Sequence, residues 1–502
     1  MPWQPSKLCV SLLPESQDHL EKLLGQCSKA DMIELRLDHV GQIPFKKIRD
    51  DTGKPLIITV RLISEGGYWK GNEESRLEIF QQAAGAGMDY LDIEYTSAKG
   101  LLEKLRISPP TSLIISRHVQ ENRSSALREM FREMQQIKGD VYKFIYQADH
   151  LNDNAVTLKL LEECAAKKIK AVIHGMGEAG QISRLLGAVK GNLWSYVSLE
   201  GAAATAEGQI SLEMAHDIYA LNARSENTRI IGLVGYPLAQ SQGWRLHNRL
   251  IQWAKQKSDT SERKLQDYIY LNFPTEDFRD FWTNWEIHLD GLSITIPHKQ
   301  KILETLDYIS HTVEISGVCN TAIKRHGRWW GFNTDMLAIF NLLSETGSTF
   351  PRGALVYGTG ATARSVLASL KELKVIPIYV CGRNSKNGRQ IAQEFMINFI
   401  SEQDLSEVHP ELIIQTTPVG MVPHPQDMPP LSPLFSDARL VLDVVHNPPH
   451  TRLLQEATAA GCQILTGQQM YLNQATYQFG LFSGIPVSIS EIESVWKQQI
   501  QK

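Results

Sequence analysis

The chain has 502 residues, 42% of them hydrophobic, enough to bury more than one core, so a single small binding module is excluded. Its 51 Lys and Arg against 55 Asp and Glu leave a net charge of −4, and no overall basic field exists to hold nucleic acid or an anionic membrane. The six cysteines, at positions 9, 27, 164, 319, 381 and 462, form no C-x-x-C pair, which indicates a reducing compartment and gives no structural zinc pattern. The early apolar stretch from Leu8 to Leu13 is too short for a signal sequence or a membrane span, so the expected setting is soluble and cytoplasmic.

Through the first 200 residues, apolar β-branched runs alternate with polar or glycine-rich loops and helical stretches. The runs are Leu8 to Ser11, Met32 to Arg36, Leu56 to Arg61, Tyr90 to Glu94, Leu113 to His118, Val141 to Ile145, Ala171 to Met176 and Leu193 to Leu199. Eight such units predict a closed (β/α)8 barrel over residues 1–222. The polar segment 223–228 precedes a fresh strand from Ile230 to Gly235 and reads as a linker. An α/β lobe is expected over 229–335 and a dinucleotide-binding lobe of Rossmann type over 336–480, with a helix in 481–502 returning to the first lobe. The dinucleotide signal is Ala354 to Tyr357 running into Gly358-Thr359-Gly360-Ala361 and a helix. The fold class is α/β throughout.

In the first half, period-two alternation puts Glu34 and Arg36 on one face of their strand and Ser116 and His118 on one face of theirs, the face that lines a barrel's interior. With Arg61 they occupy the C-terminal strand ends, the rim that carries chemistry in barrel enzymes. Lys143, in Val-Tyr-Lys-Phe-Ile, lies among apolar residues, a costly place for an ammonium without a function. Alone, Lys143 reads as a snorkelling side chain and His118 as a satisfied core histidine. On neighbouring strands at one rim they point to chemistry together. A desolvated lysine near cations has a lowered pKa and attacks a ketone as the neutral amine; the resulting imine acidifies the adjacent C–H for removal by the imidazole. Arg61 and Arg184 suit a substrate carboxylate. His174, in Ile-His-Gly-Met, reads as a structural histidine at a strand end.

The pieces Glu34-Leu35-Arg36, Arg61 followed by Glu65-Gly66-Gly67, Ser116-Arg117-His118, Lys143, Met176-Gly177 to Ser183-Arg184 and Thr205 to Gln209 appear in the order of the type I 3-dehydroquinate dehydratases, and the first half resembles that family. The resemblance implies that Lys143 forms the Schiff base, that His118 is the general acid/base and that Glu65 belongs to the catalytic set. It also implies that Glu34, Leu35, Arg36, Arg61, Arg184, Thr205 and Gln209 hold the substrate, with Ser11 beside them. Arg117 and Val119 flank the histidine where the family often has an aromatic residue and an acid, and Glu207 replaces a usual proline; no catalytic group is lost.

In the second half, GTGATARS from Gly358 to Ser365 has the glycines of a turn that brings a pyrophosphate against N–H groups at a helix N-terminus. The next strand ends in Arg383-Asn384-Ser385-Lys386, with no acid for a ribose 2′-hydroxyl and with cations suited to a 2′-phosphate, which favours NADP; the other reading of Arg383 and Lys386 is solvated loop charge. Lys299 follows a strand in Ser293 to Lys299, and Asp335 ends Gly331 to Asp335. Such a pair is either a surface salt bridge or the proton donor and orienting carboxylate for a ketone receiving hydride.

Gly235-Tyr236-Pro237 to Ser241, His247-Asn248, Thr295 to Lys299, Val318 to Thr321, Asn333-Thr334-Asp335, the glycine loop, Gln415 to Met421, Asp443 to Pro448 and Gly467 to Gln474 follow in the order of the shikimate dehydrogenases, which the rest of the chain resembles. The resemblance implies Lys299 and Asp335 as the catalytic pair, and Ser241, Thr295, Asn320 and Gln474 as ligands of shikimate. It places Gly358, Thr359, Gly360, Ala361, Thr362, Arg383, Asn384, Lys386, Val444 and Gly467 around NADP(H). Two pocket positions depart from the pattern: Gly243 stands where many members have a second substrate-binding serine and His446 where tyrosine is usual, while Gln415 replaces a usual asparagine. A hydroxyl lost beside the carboxylate widens the pocket and makes quinate a rival substrate.

The two halves are chemically consecutive, so the expectation is a bifunctional enzyme of aromatic amino acid biosynthesis. It dehydrates 3-dehydroquinate through a Schiff base to 3-dehydroshikimate, then reduces that ketone to shikimate with NADPH. NADP(H) is the cofactor, without a metal, and the partners are small molecules, neither nucleic acid nor membrane, with a homo-oligomer left open. Two rivals remain: a dehydrogenase half that acts on quinate, and a catalytically silent quinate- or shikimate-sensing regulator, which should have lost the imine lysine or carry a basic DNA-binding element.

Overall fold

The computed structural model describes residues 4–120, 126–200, 206–257 and 265–500. Eight parallel strands form the first sheet: β1 (Lys7–Leu12), β2 (Met32–Arg36), β3 (Leu56–Thr59), β4 (Tyr90–Glu94), β5 (Ser112–Val119), β6 (Val141–Gln147), β7 (Ala171–Met176) and β8 (Trp194–Val197). Their order is β7-β6-β5-β4-β3-β2-β1-β8. The seam between β8 and β7 is closed by Leu193 N donating to Ala171 O at 3.1 Å and by the Asn192 amide, which accepts from Ile173 N at 2.7 Å and donates to Ile173 O at 3.0 Å. The expected barrel is therefore present.

Cys9, Met32, Ile57, Ile114, Val141, Val172, Trp194 and Tyr196 pack into one apolar cluster. Two or four residues further along their strands come Ser11, Glu34, Arg36, Thr59, Arg61, Ser116, His118 and Lys143, on the same strand face and nearer the C-terminal ends. Period two thus gives the lumen an apolar floor and a polar upper part.

The remaining strands form two sheets. β9 (Arg229–Gly235), β10 (Tyr268–Pro274), β11 (Gly291–Ile294), β12 (Tyr308–Ile309), β13 (Thr321–Arg325) and β14 (Arg328–Phe332) lie in the order β10-β9-β11-β13-β14-β12. This sheet is parallel through β10, β9 and β11 and antiparallel where β13 meets β11 and β14. β15 (Ala354–Tyr357), β16 (Ile378–Cys381), β17 (Asn398–Ile400), β18 (Leu412–Gln415), β19 (Leu440–Asp443) and β20 (Gln463–Leu465) form a wholly parallel sheet in the order β17-β16-β15-β18-β19-β20. The order reverses between β15 and β18, the place where open parallel sheets bind ligands beyond their C-terminal ends. The helix Gly467–Ser483 packs Leu472, Ala475, Phe479 and Phe482 into the core of the β9–β14 sheet, joined there by Ile492, Val495 and Trp496 of the helix Ile489–Ile500.

The chain divides into two compact units, 1–228 with 281–287, and 229–280 with 288–502. The segment 223–228 is itself folded: Arg224 is buried with its Nε donating to Tyr219 O at 2.8 Å, and Ser225 N donates to Thr228 Oγ1 at 3.0 Å. Among the described residues no helix is long and apolar enough to cross a membrane.

Candidate active sites

In the barrel, Lys143 Nζ donates to Glu34 Oε1 at 2.7 Å and Asp92 Oδ2 at 2.9 Å, and lies 4.3 Å from the centroid of the Tyr196 ring. Glu34 also accepts from Ser11 Oγ at 2.6 Å and Thr59 Oγ1 at 2.9 Å, and Asp92 from Arg61 NH2 at 2.8 Å and Ser116 Oγ at 2.5 Å. This corrects the expectation of a lysine among cations: the neighbours of Nζ are two carboxylates, and Arg61 shares Asp92 Oδ2 with it. Burial alone would raise both carboxyl groups, but Lys143 for Glu34, and Arg61 with Lys143 for Asp92, outweigh it and hold both below their ordinary values. Two ionised acceptors therefore stand within hydrogen-bond reach of the amine.

His118, at the end of β5, has Nδ1 at 3.3 Å from Glu65 Oε2 and donates its backbone N–H to the same oxygen at 3.2 Å, while Thr96 Oγ1 donates to Glu65 Oε1 at 3.2 Å. Burial, followed by the charges of Arg61 and Lys143, holds the imidazole well below its ordinary value, so it stands as a neutral base. Burial raises Glu65 to about 7, against the pull of Arg61. Arg36 is paired with Asp38 through Nε at 3.1 Å and NH2 at 2.5 Å. Arg184 is buried differently: NH1 lies 3.5 Å from His174 Nε2 and NH2 donates to Glu207 O at 3.3 Å, and no carboxylate pairs with it among the described residues. Burial lowers this guanidinium to about 10. His174, expected to be structural, is the neighbour that orients Arg184.

Leu35 lies one residue from Glu34 and Arg36, so its fully buried side chain lies on the opposite face of β2 from theirs. Thr205 lies outside the described residues; Gln209, half-buried, follows it on the same connection. Sequence reading does not single out Asp92, Glu94 or Asp38. Asp92 and Glu94 carried the signal that marked Lys143, a charge at alternate positions of an apolar strand, Tyr-Leu-Asp-Ile-Glu. Glu94 accepts from Leu62 N at 3.0 Å and pairs with Arg61 and Arg76.

In the second unit, Lys299 Nζ donates to Asp335 Oδ2 at 2.6 Å, and both side chains are only 11% exposed, which rules out a surface salt bridge. Asp335 sits in the first turn of the helix Thr334–Glu345, whose start is capped by Asn333 accepting from Met336 N at 3.0 Å. Asn320 accepts from Thr334 N at 2.8 Å and donates to Thr334 Oγ1 at 2.9 Å, and that hydroxyl donates to Gln474 Oε1 at 3.3 Å. One threonine thus gathers Asn320 and Gln474 beside the Lys–Asp pair. Thr295, half-buried, is anchored through its N–H to Val234 O at 3.0 Å, just before the turn that carries Lys299. Ser241 Oγ accepts from Gly243 N at 3.3 Å. A Cβ on Gly243 would lie 3.3 Å from Tyr270 Oη, so the opening expected there is bordered by a phenol. The His446 ring stacks on Tyr471 at 5.3 Å and 15°. Gln415 Nε2 donates to Thr417 O at 2.9 Å and Val419 O at 3.0 Å, shaping the loop after β18.

The cofactor positions meet at the strand ends of the third sheet. Gly358 has φ of 125°, and a Cβ there would fall 2.2 Å from Thr416 Oγ1, so glycine is required. Gly360 caps the helix Ala361–Glu372, and a Cβ on it would meet no atom within 4 Å, which leaves open space at Gly360 itself, at the helix start. Arg383 and Lys386 are exposed after β16, where Asn384 caps the next helix by accepting from Asn387 N at 3.1 Å. Val444 follows β19, and a Cβ on Gly467 would fall 2.3 Å from Val445 O, so glycine lets the helix Gly467–Ser483 start against that strand end. A helix N-terminus for a pyrophosphate and two cations for a 2′-phosphate fit NADP(H). Among the described residues no group of His, Cys, Asp and Glu is arranged to hold a metal.

A barrel with a buried amine between carboxylates, followed by a two-lobed dinucleotide fold with a buried Lys–Asp pair, defines a fused lyase and oxidoreductase. Residues 8–226 match the type I 3-dehydroquinase family model, and residues 233–322 match the shikimate dehydrogenase substrate binding domain. The chain is 32% identical over 262 residues to shikimate dehydrogenase (NADP(+)) of Oleidesulfovibrio alaskensis, covering 51% of this chain and 90% of that protein. It is 27% identical over 517 residues to the chloroplastic bifunctional 3-dehydroquinate dehydratase/shikimate dehydrogenase of Arabidopsis thaliana, covering 96% of this chain and 83% of that one. A solved structure of dehydroquinate dehydratase and shikimate dehydrogenase from S. pombe aligns over 98% of both chains, at 21% identity and a TM-score of 0.43. The chain belongs to the shikimate dehydrogenase family, with a type I 3-dehydroquinase in its first half.

Proposed function

We propose that the barrel dehydrates 3-dehydroquinate to 3-dehydroshikimate and that the second unit reduces this ketone to shikimate with NADPH. The observation that carries the reading is Lys143, buried between Glu34 and Asp92, with His118 on the neighbouring strand β5 and Glu65 against that histidine. Glu34 and Asp92 take the proton that the amine sheds before it attacks the ketone. Loss of water gives the imine, and His118 removes the proton beside it. The hydroxyl across the new double bond then leaves with a proton as water, and hydrolysis of the imine frees the enone and Lys143. Arg184 takes the substrate carboxylate, with Arg36 and Gln209 at the rim.

In the second unit, NADPH supplies hydride to the ketone carbon. Lys299 gives the developing alkoxide its proton, and Asp335 holds the ammonium in place. Asn320, Thr295 and Gln474 bind ring hydroxyls, and Ser241 lies at the carboxylate end. Arg383 and Lys386 select the 2′-phosphate. Tyr270 borders the space that Gly243 leaves, which favours shikimate over quinate with its additional hydroxyl. The six unpaired cysteines, all buried, support a cytoplasmic setting, and a homo-oligomer is left to sedimentation measurements.

The test is to give the full chain 3-dehydroquinate and follow the conjugated enone with and without NADPH. The enone should accumulate without NADPH and be consumed with it. Lys143→Ala should abolish the first step and Asp335→Asn the second. Borohydride added during turnover should leave a covalent mass on the wild type and none on Lys143→Ala. No enone from the wild type would leave the silent regulator as the better reading.

A further inference from the structure

Two buried polar atoms of the dehydrogenase half have no partner, one of them on His446, a position that departs from the family pattern. Tyr471 Oη and His446 Nε2 are both buried and unpartnered. The Tyr471 ring is fixed on two sides: His446 stacks on it at 5.3 Å and Trp496 packs at 5.5 Å and 60°. A buried phenol held in one orientation with nothing to bond costs free energy in the empty protein, which points to a partner that arrives with the substrate.

Its neighbours locate that partner. Tyr471 lies three residues before Gln474, on the same face of the helix Gly467–Ser483, so it stands one turn from a residue at the Lys299–Asp335 pair. Tyr471 packs against the apolar cluster that holds Tyr270, and burial pushes both phenols up, so both are protonated donors. Tyr270 Oη would lie 3.3 Å from a Cβ on Gly243, and Ser241 Oγ 3.6 Å from it. Asn447, next to His446, donates to Gln240 Oε1 at 3.3 Å, which sets His446 against the loop carrying Ser241 and Gly243.

We infer that Tyr471 is a specificity-determining residue of the dehydrogenase, its hydroxyl donating with those of Ser241 and Tyr270 to the carboxylate of a cyclic polyhydroxy acid, in place of the serine that Gly243 does not supply. Sequence reading marks two departures at this end of the pocket, Gly243 and His446, and Tyr471 joins them into one arrangement. The imidazole occupies the place of a tyrosine, and a tyrosine on the adjacent helix supplies the hydroxyl. This inference rests on the shikimate reading of the second unit.

The experiment measures NADP-linked oxidation of shikimate and of quinate by the full chain as wild type, Tyr471→Phe, and Tyr471→Phe with Gly243→Ser. A charge-assisted hydrogen bond lost from the bound acid raises KM about 10- to 100-fold. Tyr471→Phe should show that rise for shikimate with kcat within about twofold, and its melting temperature should stay the same or rise, because the deleted hydroxyl has no partner in the free protein. The added serine should recover much of the loss, since its Cβ fits with a shift of a few tenths of an ångström. An unchanged KM in a Tyr471→Phe variant would overturn the inference. So would a fall in melting temperature with a fall in kcat, which would make the hydroxyl a structural one. A wild type that oxidises neither acid would instead remove the shikimate reading, a result distinct from either.

Discussion

At the residue scale, Glu65 is the group whose environment makes the sharpest demand on pH. Its carboxyl is 6% exposed beside His118, and burial raises it from 4.5 to about 7. A group that holds its proton more tightly when folded stabilises the fold below the unfolded value and loses that contribution as pH rises from 4.5 to 7. Glu65→Gln removes the titration. The stability difference between variant and wild type should therefore move toward the variant by about 3 kcal/mol between pH 4 and 8, read by urea unfolding of the barrel at each pH. The dehydratase pH profile of the variant should also lose its ionisation near 7. Lys143 shows the other side of the same physics. Lys143→Ala leaves Glu34 buried without its paired cation and Asp92 with Arg61 alone, and should cost about 3–5 kcal/mol, whereas Asp92→Asn, which keeps the shape and a hydrogen-bonding group, should cost less. Lys143 is legible in sequence because an ammonium in an apolar strand has no cheap structural explanation. Asp92 is equally anomalous, yet it becomes meaningful only when the barrel closes and brings β4 to β6 across β5. Sequence alone supplies the anomaly and leaves the partner open.

At the scale of elements, the floor of the barrel repeats one device. Asp31, Asp89 and Asp140 stand just before β2, β4 and β6, and their carboxylates accept from Leu8, Leu56 and Leu113 N at 2.8, 2.9 and 2.8 Å. Asn192, before β8, does the same for Ile173 N and, being an amide, also satisfies Ile173 O. Asparagine is needed at the seam because β7 and β8 share little backbone pairing. Asn192→Asp should therefore destabilise the barrel although aspartate serves at the other three places. An unsatisfied buried carbonyl facing a carboxylate costs about 2 kcal/mol or more, a fall of about 4–8 °C in the barrel's melting midpoint by calorimetry. Gly187 belongs to the same arrangement, since a Cβ on it would fall 2.1 Å from Asn192 Nδ2. The strands themselves were readable because their apolar runs are short, β-branched and evenly spaced. Their ends drifted by a few residues, as at β5, which runs on to Val119, and at β3, which stops at Thr59 before Arg61 turns into the loop. Those ends are set by pairing with neighbours that a linear reading does not yet have. Leu35 differs from Glu34 and Arg36 for a simpler reason: a motif carries all its letters, but a strand presents only every second one to the lumen.

At the scale of the whole molecule, an apolar cluster forms the barrel floor in the first unit, and other clusters pack the two sheets of the second. Stabilisation by a ligand acts on the unit that binds it. NADPH at one hundred times its Kd should stabilise the second unit by about 2.7 kcal/mol and raise its melting midpoint by about 5–10 °C, with the barrel's transition left in place. Gly358→Ala should abolish the shift, because the new Cβ would enter Thr416 Oγ1 and force the loop that receives the pyrophosphate to move. The same variant should still turn 3-dehydroquinate into the enone at the wild-type rate, while Lys143→Ala should keep the NADPH shift and lose the enone. Calorimetry with and without NADPH on these three proteins tests the independence directly. If both transitions rise together with NADPH, the units unfold as one cooperative body, and the second unit's ligand then protects the dehydratase as well.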